Sequence, residues 1–345
     1  MRNSTIIMFL LIVITGFLNL YAQDEPLFEK LKKDFNKEYL SVGALLQVVG
    51  DFQNERSFSG HNGFNISNFR WRIYGKLDKN FGYFLQTNFI NSPAFLDAFI
   101  TWEINSWLQL KSGLFKAPFS KEYLISASDI DFVNRAQVVN ALTVGRQIGV
   151  QFSGWLKDKL LNYRVGVFNG NGFRRINNND NDYFLYVARF AVVPKISSEK
   201  NVVDQLEMGI NGAVSIDNNV NIPGVYSNFE GERQLLGADI RLTLNKFLVA
   251  GEAIFAKFDP KYYSTREPSG FHFTIGYMVT NNAQLLFRFD KFQLDDSNDS
   301  TDLIILGYNL WPSNVAEFQA NYIINTDESD FKNHQLLLNL QINFN

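Results

Sequence analysis

From about residue 40 onward the chain alternates apolar and polar positions in segments of about ten residues, the period of a strand with two different faces. The alternation places strands at 40–52, 65–77, 81–91, 94–104, 107–116, 146–156, 160–169, 183–193, 203–216, 235–244, 247–257, 270–279, 283–292, 302–311, 315–325 and 334–344. Phe69, Trp71 and Ile73 interleave with Arg70, Arg72 and Tyr74; Leu285, Phe287 and Phe289 interleave with Gln284, Arg288 and Asp290. Leu336, Leu338, Leu340, Ile342 and Phe344 supply a last apolar face. An apolar face on nearly every strand, backed by a polar one, suits a sheet closed on itself with lipid outside and water inside. The predicted fold is all-β: a transmembrane antiparallel barrel of about sixteen strands, occupying 40–345.

The joints carry a second rhythm. Asp78-Lys79-Asn80, Asn105-Ser106, Lys157-Asp158-Lys159, Asn245-Lys246, Asn281-Asn282 and Pro312-Ser313-Asn314 are tight-turn sequences at alternate junctions, and predict the periplasmic end. The polar connections 53–64, 171–182, 217–234 and 293–301 predict extracellular loops. Ser92-Pro93 is short where a long loop is expected, and the junction before Val203 is long where a turn is expected. Tyr83, Trp102, Trp107, Trp155, Tyr163, Tyr277, Trp311 and Tyr322 fall near strand ends, as in the aromatic girdles of outer-membrane barrels.

Composition narrows the setting. Arg2, the apolar run from Ile6 to Leu18 and Leu20-Tyr21-Ala22 predict a signal peptide over 1–22, cut before Gln23, and hence export. The apolar run is too short for a spanning helix of about 20 residues. Residues 23–39 are charged, with Leu27, Phe28, Leu31 and Phe35 at helical spacing, and predict a periplasmic N-terminal segment. The chain has no cysteine, which removes disulfides, thiolate metal sites and a cysteine nucleophile. The net charge of −3 gives no basic excess for nucleic acid. His61, His272 and His334 lack metal-ligand spacing, and the acidic stretches Asp295–Asp299 and Asn177–Asp182 lack the calcium-loop pattern, so no cofactor is expected.

One connection is far longer than the rest. Residues 117–145 carry Phe119, Tyr123, Ile125, Ile130, Phe132, Val138, Val139 and Leu142, which a loop in open water would not favour. Folding this third long loop into the lumen would hide its apolar side and narrow the pore. Around it, Gly113-Leu114-Phe115-Lys116-Ala117-Pro118-Phe119-Ser120, Tyr123-Leu124-Ile125-Ser126, Phe132-Val133-Asn134-Arg135 and Arg146-Gln147-Ile148-Gly149-Val150-Gln151 follow in order. Gly166-Val167-Phe168-Asn169-Gly170-Asn171-Gly172 and Ala188-Arg189-Phe190 with Pro194 continue the series. This succession resembles the central block of the phosphate-selective porin O and P family of bacterial outer-membrane porins.

The resemblance implies a homotrimer in the outer membrane of a Gram-negative bacterium, with basic residues guiding anions through a constriction. The matching basic positions are Lys116, Arg135 and Arg146; Gln147 stands where an acidic residue is expected. Lys121 is the central lysine of the loop, beside Glu122, Asp129 and Asp131. The candidate solute pathway is therefore Arg70, Arg72, Lys116, Lys121, Arg135, Arg146 and Arg164. Predicted lumen positions on the strands balance in sign: Arg70, Arg72, Lys76, Lys111, Arg164, Arg189, Arg241 and Arg288 against Asp97, Glu103, Glu207, Asp239, Glu252, Asp290 and Glu317. A crossed field of paired charges and an anion ladder are both compatible with that balance, and phosphate preference rests on the resemblance alone.

The expected function is passive diffusion of small polar solutes, anions such as phosphate among them, with outer-membrane lipid as the surrounding partner. Two alternatives come from other classes. A structural or adhesive barrel would have a closed lumen. An outer-membrane hydrolase would need Ser, His and Asp or Asn converging at the rim, and no motif places them.

Overall fold

In a lipid-facing sheet every backbone N–H and C=O must find a partner within the sheet, and closure leaves no edge. The computed structural model describes residues 36–53, 62–90, 95–172, 178–194, 205–295, 300–327 and 331–344. The expected signal peptide, most of the N-terminal segment, Ser92-Pro93 and most of the acidic stretch at 295–299 lie outside the described residues.

A two-residue strand, β1 (Asn36–Lys37), leads into β2 (Leu40–Gln53), β3 (Gly63–Lys76), β4 (Phe81–Asn88), β5 (Phe95–Asn105) and β6 (Leu108–Lys116). The long loop follows, then β7 (Arg146–Leu156), β8 (Leu161–Phe168) and β9 (Leu185–Val192). The second half comprises β10 (Gln205–Ile222), β11 (Tyr226–Leu244), β12 (Phe247–Pro260), β13 (Ser269–Thr280) and β14 (Ala283–Gln293). It ends with β15 (Ser300–Ser313), β16 (Ala316–Asn325) and β17 (Gln335–Phe344). From β2 each strand pairs antiparallel with the next, and β17 returns to β2 with Gln341 opposite Gln47, closing a barrel of sixteen staves.

The alternation read from the sequence sets the two faces. On β13, Phe271, Phe273, Ile275 and Tyr277 are exposed while Gly270, His272, Thr274 and Gly276 are buried; on β14, Leu285 and Phe287 point out while Arg288 and Asp290 are buried. The tight turns fall at one end, where Lys157, Asp158, Lys159 and Asn245 adopt positive φ (50°, 54°, 70° and 52°). In the first of these turns Asp78 accepts from the N–H groups of Asn80 (2.7 Å) and Phe81 (2.8 Å), bonds that hold its carboxyl below the usual carboxylate range. At the same end Trp102 stacks on Phe81 (5.6 Å, 8°), and the Tyr163 hydroxyl donates to the Trp107 carbonyl (2.7 Å).

Two expectations need correction. Residues 217–234 are not an extracellular loop: β10 and β11 run on for 18 and 19 residues as one long hairpin. Its ladder is irregular between Asp217 and Ile222, yet Val220 still faces Phe229 and Ile222 faces Tyr226. The Asn, Asp and Gly content masks this continuation, because those residues alternate with Val220, Ile222 and Phe229. Trp311 also departs from the girdle. It shares the inward parity of Asn309 on β15 and lines a chamber with Glu317.

Gly113, within the block that carries the family resemblance, has φ +134°, and a Cβ there would meet the Ala98 carbonyl oxygen. Gly113→Ala is expected to destabilise the barrel by about 1–3 kcal/mol. Urea unfolding in detergent micelles would read this, and an unchanged midpoint would contradict it.

Candidate functional site

The long third loop folds into the barrel because its apolar residues find apolar partners there. It contains two short helices, α1 (Lys121–Leu124) and α2 (Gln137–Leu142). Ser120 caps α1, its hydroxyl accepting from the Tyr123 N–H (3.1 Å). Phe119, Val138, Val139 and Leu142 are fully buried against Leu185, Val187, Leu235, Ile254 and Phe258, lumen-facing residues of β9, β11 and β12. Phe132 makes a second cluster with Leu248, Ala250, Leu286 and Ile305. A side chain at Gly307 would occupy the space of the Phe132 ring.

Polar clamps fix the loop to the same half of the wall. Asp131 takes both guanidinium nitrogens of Arg241 (2.8 and 2.9 Å), and Lys121 pairs with Glu207 (2.5 Å). Gln137 N–H donates to Asp290 (3.0 Å), and the Glu122 N–H donates to Glu252 (3.1 Å). Across the closing seam, Gln47, Gln341 and Gln319 donate to the carbonyls of Ala127 (3.2 Å), Ser128 (2.8 Å) and Ile130 (3.0 Å). At the centre, Arg288, 1% exposed, pairs with Glu122 (2.6 Å) and lies 4.3 Å from the Phe132 ring centroid. Both Glu122 carboxylate oxygens are engaged, one by the Arg288 guanidinium and the other by the Ala136 N–H (3.0 Å).

Removing one partner of a pair this deep strands the other charge. Arg288→Met is expected to destabilise the barrel by about 3–5 kcal/mol and to raise open-channel noise, and Arg288→Met with Glu122→Gln to recover part of both. Urea titration and planar-bilayer recording would check this. A double variant no better than the single one would show that the stranded charge is not the cause.

The other side of the lumen stays open. A cavity of about 770 Å³ runs from turn residues Asn80, Asn105 and Ser106 up to Leu124, Ser126 and Ala127 of the loop. Its charged lining is Arg70, Lys111, Lys116, Arg146 and Arg164 against Asp97 and Glu103. Asp97 is already engaged twice by Arg146, at 3.1 and 3.0 Å, and accepts from Gln86 at 2.8 Å. The other acids that balance the charges in the sequence lie elsewhere. Glu207, Glu252 and Asp290 hold the loop, and Asp239 pairs with Arg189 behind it.

A barrel with an inward-folded third loop and a basic cavity is the architecture of a diffusion channel, and sequence comparison fixes which kind. The family model for phosphate-selective porin O and P matches residues 43–343, nearly the whole barrel. The chain belongs to that family. It is an outer-membrane porin of Gram-negative type, a passive channel for small solutes. Solved porins share the fold of this porin O and P member at low identity. The anion-selective porin from Comamonas acidovorans superposes with TM-score 0.63 at 10% identity, over 88% of this chain and 99% of that one. The trimer form of OmpT, an outer membrane protein of Vibrio cholerae, gives 0.62 at 10% identity, over 88% and 99%. Pseudomonas putida OprB gives 0.60 at 10% identity, over 92% and 96%. No curated protein matches the chain in sequence.

The seven basic residues singled out from the sequence occupy four kinds of place in this porin. Arg70, Lys116, Arg146 and Arg164 line the cavity. Lys116 and Arg135 sit at the base of the loop: Lys116 donates to the carbonyls of Tyr123 (2.6 Å) and Ile125 (2.8 Å), and Arg135 to those of Glu122 (3.2 Å) and Ile125 (2.8 Å). Lys121 faces away from the cavity into its pair with Glu207. Arg72 belongs to the closing seam, where Asn343 (2.5 Å) and the carbonyls of Phe344 (3.2 Å) and Ala44 (3.5 Å) hold it outside the cavity lining. Lys111 was absent from that set and lines the cavity; its inward parity with Gln109 and Gly113 on β6 was the signal for it.

Proposed function

We propose that this porin passes small anions, phosphate-sized ones included, in preference to cations, and that Arg70, Lys111, Lys116, Arg135, Arg146 and Arg164 guide them past the third loop. The observation that carries this reading is the sorting of charge. Five basic side chains face the open cavity against two acids, one of them engaged by Arg146. In a narrow lumen such a field replaces part of an anion's hydration while staying weak enough to release it. The family description agrees with this direction.

The same reading takes residues 1–22 as the signal peptide, 23–39 as a periplasmic segment, and the assembly as a homotrimer in outer-membrane lipid, without enzymatic activity. The trimer form of the Vibrio cholerae neighbour supports that assembly. Reversal potentials in asymmetric KCl across planar bilayers test the central point. The expected sign is that of chloride permeating faster than potassium; the opposite sign would remove the anion reading.

A further inference from the structure

The cavity carries more than cations: one stretch of its wall is aromatic, which inorganic ions do not require. Tyr74, Phe84 and Phe99 stand directly opposite one another on β3, β4 and β5. Their ring centroids lie 6.0 Å and then 5.2 Å apart, and the Phe84 and Phe99 planes are within 13° of parallel. Phe115 extends the row, 5.8 Å from Phe99 and edge-on to it. Phe84, Phe99 and Phe115 all line the cavity. The Lys111 ammonium sits 4.6 Å from the Phe99 centroid and 5.2 Å from that of Phe115, placing a cation at the rings.

Lumen-facing apolar residues on the opposite wall are covered by the third loop. Phe115 joins that packed cluster and Phe99 leans on it, but Phe84 and Phe99 themselves remain half-buried beside an open, water-accessible space. Apolar surface left in water is a standing gain for any solute that covers it, and an aromatic ring adds specific contact with a flat apolar partner. Inorganic phosphate has no surface to offer. An anion with a flat organic body does, and the cations needed for its charged end lie on the neighbouring inward positions Arg70, Lys111 and Arg164.

We propose that this wall is a subsite for organic anions. The charged group of the solute meets Lys111 and its basic neighbours, and its flat apolar body runs along Phe84 and Phe99. The inference rests on the anion preference proposed above and adds the chemistry of the uncharged part of the solute.

The test compares phenyl phosphate with methyl phosphate, which share head group and charge, as blockers of chloride current through the full-length protein in planar bilayers. The expected result is half-block by phenyl phosphate at a concentration about tenfold lower, a ratio worth about 1.4 kcal/mol. That ratio should fall toward one in Phe84→Leu with Phe99→Leu and persist in Phe84→Tyr. Equal half-blocking concentrations in the unmodified protein would overturn the subsite, and need no variant to fold. A preference that survives the double leucine replacement would also overturn it, since block by size alone does not need the rings. The reversal potential of the same channels separates the two readings. Cation selectivity removes the anion preference itself, whereas anion selectivity without a phenyl preference removes only the subsite.

Discussion

Replacing residues 127–142 with a short Gly/Ser linker should raise single-channel conductance at least about twofold in molar KCl. That segment supplies Phe132, Val138, Val139 and Leu142 to the packed side of the lumen, together with the Asp131 clamp on Arg241. Without it, the space between the cavity and the β10–β17 wall opens to water. The two ends of the loop are held together without that segment. Lys116 and Arg146 are direct partners at the top of the β6–β7 ladder, and the Ala117 N–H already donates to the Gly145 carbonyl (3.1 Å). The staves close through their own ladders, so a barrel should still form, with lower stability because Ile254, Phe258 and Leu286 lose their cover. Conductance unchanged in a barrel that folds would show that the loop does not limit the pore.

The fold was legible because its signal is repeated on every stave. Each of the sixteen expected strands is present, and the one at 146–156 has the same bounds. The errors share a cause. At 217–234 polar composition outvoted alternation, and at Trp311 proximity to a strand end outvoted parity, although parity decides which face a side chain takes. The loop's inward fold was legible from its own apolar residues, but its destination was not. The lumen face of β9 to β12 is apolar at Leu185, Val187, Ile254 and Phe258, where a water-filled pore predicts polar residues. Only the packing reveals that these positions receive the loop.

Charge was the least legible feature. The sequence presents a near-balanced set of inward acids and bases, and one-dimensional counting cannot tell which pair lies on which wall. In three dimensions Glu207 meets Lys121 and Arg189, Asp239 meets Arg189, and Glu122 meets Arg288. These pairs cancel on the loop's side and leave Arg70, Lys111 and Arg164 facing the cavity. Strand parity could place each residue inside the barrel. It could not state which stretch of wall the loop would cover.

Removing those cations should therefore change selectivity more than removing charges elsewhere in the lumen. With Arg70→Gln, Lys111→Gln and Arg164→Gln together, the cavity retains Lys116 and Arg146 against Asp97 and Glu103. The reversal potential in a tenfold KCl gradient should move by tens of millivolts, to near zero. Adding Arg146→Gln strips Asp97 of both its guanidinium bonds and should carry the channel into cation preference. Two controls separate the cavity from the lumen at large. Arg72→Gln removes an inward charge of the same sign, but one held in the seam by Asn343 and the Phe344 carbonyl, and should lower stability while leaving the reversal potential nearly unchanged. Lys121→Gln should shift it less than any cavity replacement, because Arg189 remains 3.1 Å from the released Glu207. Equal shifts from Arg72→Gln and Arg70→Gln would mean that the mean charge of the barrel sets selectivity. A large shift confined to Arg70, Lys111, Arg146 and Arg164 places it in the cavity beside the third loop.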